Sequence, residues 1–426
     1  MFKLSNKTTG FLDQKEKAVQ KHDVNIVIAP DKFKGALTGS EAASAIQAGF
    51  AKFFPDAKYT LLPLADGGEG IIEAFSKGTD SFHTRKTVTV QDALRRAVET
   101  EFLFIKYPVK TAVIESANAN GLWRISSEDR DIGKSSTFGV GQLIREAIGM
   151  SVRRIIIGIG GSATNDAGIG MAAALGYRFL DTGGNEVDPI PANFLSIAKI
   201  DATDVISLPE ITVACDVGNP LLGEQGATAI YGPQKGLLPE EAETSEAALA
   251  HVARIIYREL GTDFKESSGA GAAGGLGFGL MSFCNARLEC GFDCVASAVG
   301  AEEIISCADF VVTAEGSLDA QTLNGKVPFG IAKLARKHRA PVYALAGRVV
   351  DDEQLFDFFD GISTILNGPM STEEAIANAP KILESGAARL AHQIFHQEKR
   401  WGKKSEEAEN ARQFNYCMEN KIPYVL

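Results

Sequence analysis

The stretch IIIGIGGSATNDAGIGMAAALGY (residues 155–177) opens as a continuous apolar run, passes through Gly, Ser, Thr, Asn and Asp, and ends in a small-residue segment. A non-alternating run of that length predicts a strand covered on both faces, and the closing segment predicts a helix. Strand, glycine-bearing loop and helix in that order form one unit of a parallel α/β sheet. Such loops hold anions on free backbone N–H groups at a helix N-terminus. Gly160, Gly161, Ser162, Thr164, Asn165 and Asp166 make up this one, which contains neither Lys nor Arg. Asp166 reads in two ways: as the cap of the helix, or as a carboxylate that holds a metal ion or acts as a base beside bound phosphate.

The same strand signal recurs along the chain, in NIVIAP (25–30), YTLLPL (59–64), TAVIES (111–116), RRIIIGIG (153–160), ITVACDV (211–217), DFVVTAEG (309–316), PVYALAG (341–347) and ISTILN (362–367). Thr38 and Glu41 have capping-box spacing before a helix with Ile46, Phe50 and Phe53/Phe54 on one face. PFGIAKLARKH (328–338) predicts a second helix, and residues 371–395 predict a third with Ser371 and Glu374 as its box. Strands and helices alternate at 25–64 and again at 309–395, so these pieces predict one doubly wound parallel sheet interrupted by an insertion. With 426 residues the chain exceeds one ordinary core. We divide it into an N-terminal extension (1–23), a discontinuous domain (24–72 and 297–398), an inserted α/β domain (73–296) and a charged C-terminal tail (399–426).

Composition excludes several function classes. A net charge of −11 opposes a broad nucleic-acid or anionic-membrane surface. Apolar runs are strand-sized, which predicts no membrane span. The first 23 residues lack an apolar secretory core and contain no Arg, so the expected address is cytoplasmic. Of six Cys, four (Cys284, Cys290, Cys294 and Cys307) cluster without a CxxC or a nearby His, which predicts reduced thiols rather than a metal centre.

Two glycine-rich segments are decoys. GKSS (133–136) supplies only the second half of a Walker A loop, with Glu at 128 where Gly is needed. GAGAAG (269–274) satisfies GxGxxG, but polar TDFKESS precedes it instead of a strand. Other loops carry more useful chemistry at strand ends: Asp31, Lys32 and Lys34 in APDKFKG; Asp66 and Glu69 in LADGGEG; Asp216 and Asn219 in ACDVGNPLLG; Glu315, Asp319 and Lys326 in TAEGSLDAQTLNGKVP. Ligands of doubly wound sheets sit outside the carboxyl ends of strands, where such loops converge. Carboxylates for a metal, lysines for anions and glycines for close approach suit phosphoryl transfer to a small hydroxyl compound. No His lies in these loops, so any general base is a carboxylate.

IAPDKFKGALTGSEAASAI, LADGGEG, GIGGSATNDAGIGMAAALGYRFLD, ACDVGNPLLGEQGATAIYGPQKG, GAGAAGGLGFGL and ADFVVTAEGSLDAQTLNGKVPFGIAKLA resemble, in order and spacing, the bacterial-type glycerate kinases over residues 24–395. The resemblance implies a Rossmann-like domain interrupted by a second α/β domain, and transfer of the γ-phosphoryl of ATP to D-glycerate with Mg²⁺, commonly giving 2-phosphoglycerate. Three positions depart from the family pattern: Ala314 in TAEGS, Ser268 before GAGAAGG, and QDALRRAV (91–98), where a DPLGR-like turn has lost its Pro and Gly.

Under this resemblance Asp166, Asp216 and Lys34 are the expected catalytic residues, with Asp166 and Asp216 as metal ligands. Lys32, Asp66, Glu69, Ser162, Asn165 and Asn219 are expected at the substrate, and Gly160, Gly161, Glu315, Asp319 and Lys326 at the nucleotide. D-glycerate and ATP are the expected partners, with no nucleic acid and no membrane; a homo-oligomer is compatible with this reading. Two rivals stand beside it: a nicotinamide-dependent dehydrogenase using 269–274, and a non-catalytic sugar-acid sensor. So many carboxylates around an anionic ligand argue against the sensor.

Overall fold

The computed structural model describes residues 24–78, 82–319, 322, 325–350 and 353–396; the expected N-terminal extension and C-terminal tail lie outside the described residues. One sheet has five strands, all parallel, in the order Gly361–Thr364, Val342–Val349, Phe310–Leu318, Asn25–Ile28, Lys58–Leu61. Alternate residues of its strands enter different apolar clusters. Ile26, Ile28 and Val312 face the helices Gly39–Phe50 and 379–396 through Ile46, Phe50, Leu383 and Leu390. Val27, Ala29 and Val311 face the helix Val327–Lys337 through Ile331 and Ala335. Period-two burial on both faces is what a doubly wound sheet requires.

The caps follow the sequence. Thr38 Oγ1 accepts the Glu41 N–H at 3.2 Å while Glu41 accepts the Thr38 N–H at 2.9 Å. Ser371 and Glu374 do the same. The single helix expected over 371–395 is instead two, Thr372–Ala377 and 379–396, broken at Asn378. Pro380 causes the break: it has no N–H to donate, and its ring would meet the carbonyl of residue 376 in a continuous helix.

A second sheet takes its six strands from residues 83–289, in the order Arg287–Glu289, Glu210–Ala214, Arg154–Gly158, Thr111–Glu115, Ala97–Ile105, His83–Gln91. The first four are parallel; the last two form an antiparallel hairpin at the edge. That hairpin is absent from the sequence reading, as are the short strands Arg178–Leu180, Lys199–Asp201 and Arg287–Glu289. His83–Gln91 lies at a sheet edge with most residues in partial contact with water, so its Thr, Arg and Lys residues never form an apolar run. Its turn is the departing QDALRRAV segment, where Arg95 adopts φ +63°. Asp92 holds the turn by accepting the N–H groups of Leu94 and Arg96 and the Arg96 guanidinium.

The two sheets share an apolar layer. The helices Ile71–Gly78 and Gly291–Ala298 bring Ile71, Phe75, Phe292 and Val295 into one cluster with Val113 and Ile156 of the second sheet and Val311 of the first. The domain limits expected at 72/73 and 296/297 therefore cut through two helices that pack between the sheets. Among the described residues, no helix is long and apolar enough to cross a membrane.

Candidate active site

Counted along the chain, the five-stranded sheet has the order 2-1-3-4-5, which reverses direction between Asn25–Ile28 and Phe310–Leu318. A crevice opens where order reverses, outside the carboxyl ends of those strands. Asp31 and Glu315 stand there, both buried. The Asp31 N–H donates to the Ala314 carbonyl at 2.8 Å, tying the two strand ends together.

The loop after Lys58–Leu61 crosses from one sheet to the other. Gly67, at φ +87°, lies so close to the end of Glu210–Ala214 that an added Cβ would stand 2.8 Å from the Ala214 carbonyl carbon. A Cβ on Gly291 would fall 2.2 Å from the Asp66 carbonyl oxygen. Only glycine permits this approach, which sets Asp66 over the carboxyl end of the second sheet beside Asp216. Glu115 secures the far end of the loop, accepting the N–H groups of Gly70 and Ile72 at 3.0 and 2.9 Å.

A central hollow at these residues adjoins one on each side. The central one, of about 530 Å³, is bounded by Asp31, Lys32, Lys34, Asp66, Glu315 and Lys326 and by an apolar wall of Ile365, Leu366, Met370, Ile376 and Ile382. A second of about 1110 Å³ shares Asp66 and Lys326 and adds Asp216, Asn219, Gln225, Tyr231 and Ser268. A third of about 660 Å³ shares Lys32 and Lys34 and extends to Glu69, Arg85 and Glu115. The structure thus brings together Lys32, Lys34, Asp66, Glu69, Asp216, Asn219, Glu315 and Lys326 from four loops.

Burial and mutual repulsion dominate the electrostatics. Burial, then the neighbouring Asp66, pushes the Asp31 carboxyl up to about 7. The same two causes raise Asp216 to about 7, against the opposing Gly291 N–H. Burial raises Glu315 to about 7 although Thr322 and Lys326 favour its charged form. Asp66 repels all three. The cations are fewer: Lys32 donates to the Glu69 carbonyl at 2.6 Å and stands 4.0 Å from Asp66, and Lys326 stands 3.9 Å from Glu315. Asp216 Oδ1 accepts from the Gly291 N–H at 2.7 Å, while its buried Oδ2 has no partner. Asn219 is largely committed, donating to the Gln225 carbonyl and accepting from the Tyr231 hydroxyl. Asp319 turns toward its own loop, its N–H donating to Thr322 and a carboxylate oxygen accepting from Ser317.

The loop that opened the sequence analysis lies elsewhere. Its helix, Ile169–Ala174, begins later than expected, behind Gly168 at φ +74°. Asp166 is 0% exposed and accepts from the Thr137 N–H and hydroxyl, the Gly168 N–H and the Gly170 N–H. The anion on this loop's N–H groups is therefore the chain's own carboxylate, which ties the loop to Thr137 while Gly168 stands at the helix N-cap. Asp166, expected as a catalytic and metal-binding residue, borders none of the three hollows. Asn165 is likewise buried, its amide donating to Thr228. Ser162 accepts from a buried lysine, and Gly160 packs on Gly68. Ser162, Asn165, Gly160 and Gly161 support the site from behind rather than line it.

That lysine, Lys235, belongs to the quoted stretch ACDVGNPLLGEQGATAIYGPQKG but is not among the candidate residues of the sequence analysis. Asp31 follows the first strand in APDKFKG, a position that marks it for the site although the expected site residues do not include it. GAGAAG closes against the 164–167 backbone, where a Cβ on Gly274 would stand 1.9 Å from the Thr164 carbonyl oxygen, and no strand feeds it. The dinucleotide reading has no support. The five described cysteines are free, with Cys284 and Cys294 pushed up to about 12, chiefly by burial. Among the described residues, no group of three or more His, Cys, Asp or Glu side chains is arranged to hold a metal ion by itself.

The model of the glycerate kinase family matches residues 26–395. The chain is 42% identical over 371 residues to a glycerate kinase of Halalkalibacterium halodurans, covering 86% of this chain and 97% of the relative. It is 40% identical over 361 residues to the glycerate 2-kinase of Escherichia coli, covering 84% and 94%. A crystal structure from Salmonella typhimurium LT2, assigned as glycerate kinase 2, superposes with a TM-score of 0.78 at 39% identity, covering 88% of this chain and all of that one. The chain belongs to the glycerate kinase family and is a kinase.

Proposed function

We propose that this chain phosphorylates D-glycerate from ATP where the hollows of about 530 and 1110 Å³ join at Asp66 and Lys326, giving 2-phosphoglycerate. The observation that carries the reading is the meeting there of Asp31, Asp66, Asp216 and Glu315 with Lys32 and Lys326, beside an apolar wall of a size suited to a nucleobase. The adenine lies against Ile365, Leu366 and Ile376, which directs the phosphates toward Lys326 and Lys32. Lysine suits this task as a compact point charge that can follow a moving phosphoryl group. Glycerate lies on the Asp216 side, within reach of Asp66.

Mg²⁺ fits the donor set. The Asp216 Oδ2 without a partner, with the Asp66 carboxylate beside it, offers oxygen of the kind such an ion takes. Mg²⁺ is held by one or two carboxylates plus substrate phosphates, so a complete protein cage is not required. Asp216 would hold it together with the substrate phosphates, and when bound it neutralises charge on the phosphoryl oxygens. Asp66 orients the glycerate hydroxyl and takes its proton as that oxygen bonds to the γ-phosphorus and the bond to the β-phosphate oxygen breaks, releasing ADP. Positioning and charge neutralisation carry most of such a reaction. The 2-hydroxyl is supported by the name of the Escherichia coli relative, and ATP supply with free thiols suits a cytoplasmic address. Phosphorus NMR of the product from ATP, Mg²⁺ and D-glycerate tests the reading. A 2-phosphoglycerate resonance is expected; a 3-phosphoglycerate resonance would correct the regiochemistry, and absence of any phosphoglycerate would reject the function.

A further inference from the structure

Lys235 is 2% exposed, an unusual place for an ammonium group. It donates to the Ser162 hydroxyl at 3.1 Å and to the Thr164 carbonyl at 2.6 Å, with Asp166 the opposite charge that acts on it. Removing this cation alone would leave the Thr164 carbonyl and the buried Asp166 carboxylate without the positive charge that faces them. What methionine could not supply is the grip on two points of one turn.

That turn bears on the active site. Gly160 lies two residues before Ser162, and a Cβ there would stand 2.9 Å from Gly68 Cα. A Cβ on Gly158 would stand 2.6 Å from the Gly67 carbonyl oxygen. Gly67 and Gly68 immediately follow Asp66. Neighbours brace the same turn: the Leu122 N–H donates to the Gly161 carbonyl, and the Ala163 N–H to the Asn120 carbonyl, each within 3.0 Å.

We propose that Lys235 is a positioning residue for the kinase reaction: by tying Ser162 to Thr164 it holds the turn on which the Asp66–Gly70 loop rests, and so fixes Asp66 where the hollows meet. The effect on turnover rests on the function proposed above; the effect on the loop does not.

Lys235→Met separates these contributions. Displacing a reacting group by about 1 Å costs up to about a hundredfold in rate, so kcat is expected to fall at least about tenfold, with KM for ATP and glycerate within about threefold. The melting temperature is expected to fall, because a buried carboxylate and a buried carbonyl lose the charge that faces them, so kcat is taken per folded molecule. Hydrogen–deuterium exchange of the ligand-free protein should quicken at residues 66–70. Turnover within about twofold of wild type, or unchanged exchange at 66–70, overturns the proposal. If Lys235→Met does not fold, Ser162→Ala removes one contact and keeps the charge; it should move exchange and kcat in the same directions, and no change in either overturns the proposal. Wild-type protein without glycerate-dependent ADP release would reject the kinase reading, while exchange would still judge the loop.

Discussion

Asp166 and Asp216 each follow a parallel strand of the same sheet, in loops of similar composition, yet their surroundings are opposite. Asp166 is enclosed and accepts four hydrogen bonds from Thr137, Gly168 and Gly170. Asp216 lines a hollow, accepts from the Gly291 N–H with a weak Cys290 contact, and leaves its buried Oδ2 without a partner. Burial raises both above the usual carboxylate range. The difference is that Asp166 has its partners within the chain, whereas Asp216 still lacks one. Chemistry is expected where charge is left unsatisfied and reachable, and structure where it is satisfied and enclosed.

The sharpest way to break this contrast is at Asp216. Asp216→Asn should lower kcat at least about a hundredfold, the size of losing one positioned charged group at a transferring centre. Steady-state kinetics at saturating ATP and glycerate checks it. Asp166→Asn should act on the fold instead. An amide cannot accept from all four donors, and the resulting loss should be about 3 kcal/mol of unfolding free energy in a urea titration.

The nucleotide wall is a weaker contrast. Ile376→Ala should raise KM for ATP about fivefold, through lost apolar contact, and leave KM for glycerate unchanged. Isothermal titration with a non-hydrolysable ATP analogue measures the same effect without turnover.

A separate check on the contrast is the pH response of the ligand-free protein. Asp31, Asp216 and Glu315 reach about 7 when folded, against about 4 for free carboxyls. Between those values the folded state binds more protons than the unfolded state, so their contribution to stability is lost as pH rises through that window. Lys235, lowered to about 7 chiefly by burial, acts in the other direction above that pH. The melting temperature should therefore decline from pH 5 to pH 7. A steady rise over that interval would contradict the charge-starved cleft.

Much of this arrangement was legible in the sequence because the physics is local. Buried parallel strands read as apolar runs, and Thr38 with Glu41 marks a helix start by spacing alone. Lys32, Asp66, Asp216, Glu315 and Lys326 were legible as candidates because ligands gather at the carboxyl ends of parallel strands. The enclosure of Asp166 was not legible because its first donors come from Thr137, 29 positions away, and no local pattern announces them. Lys235 stayed hidden for the same reason: burial of a lysine is a tertiary fact. The hairpin His83–Gln91 and Ala97–Ile105 was illegible because its first strand packs only partly, so polar residues interrupt the signal.

The central claim is that the reaction centre lies with the carboxylates left short of partners. Its most direct test is turnover per folded molecule of Asp216→Asn and Asp166→Asn, assayed side by side with ATP, Mg²⁺ and D-glycerate. The account predicts Asp216→Asn to be at least about thirtyfold slower than Asp166→Asn, the gap between losing a charge at the reacting atoms and losing one behind them. Equal rates, or a slower Asp166→Asn, would contradict it.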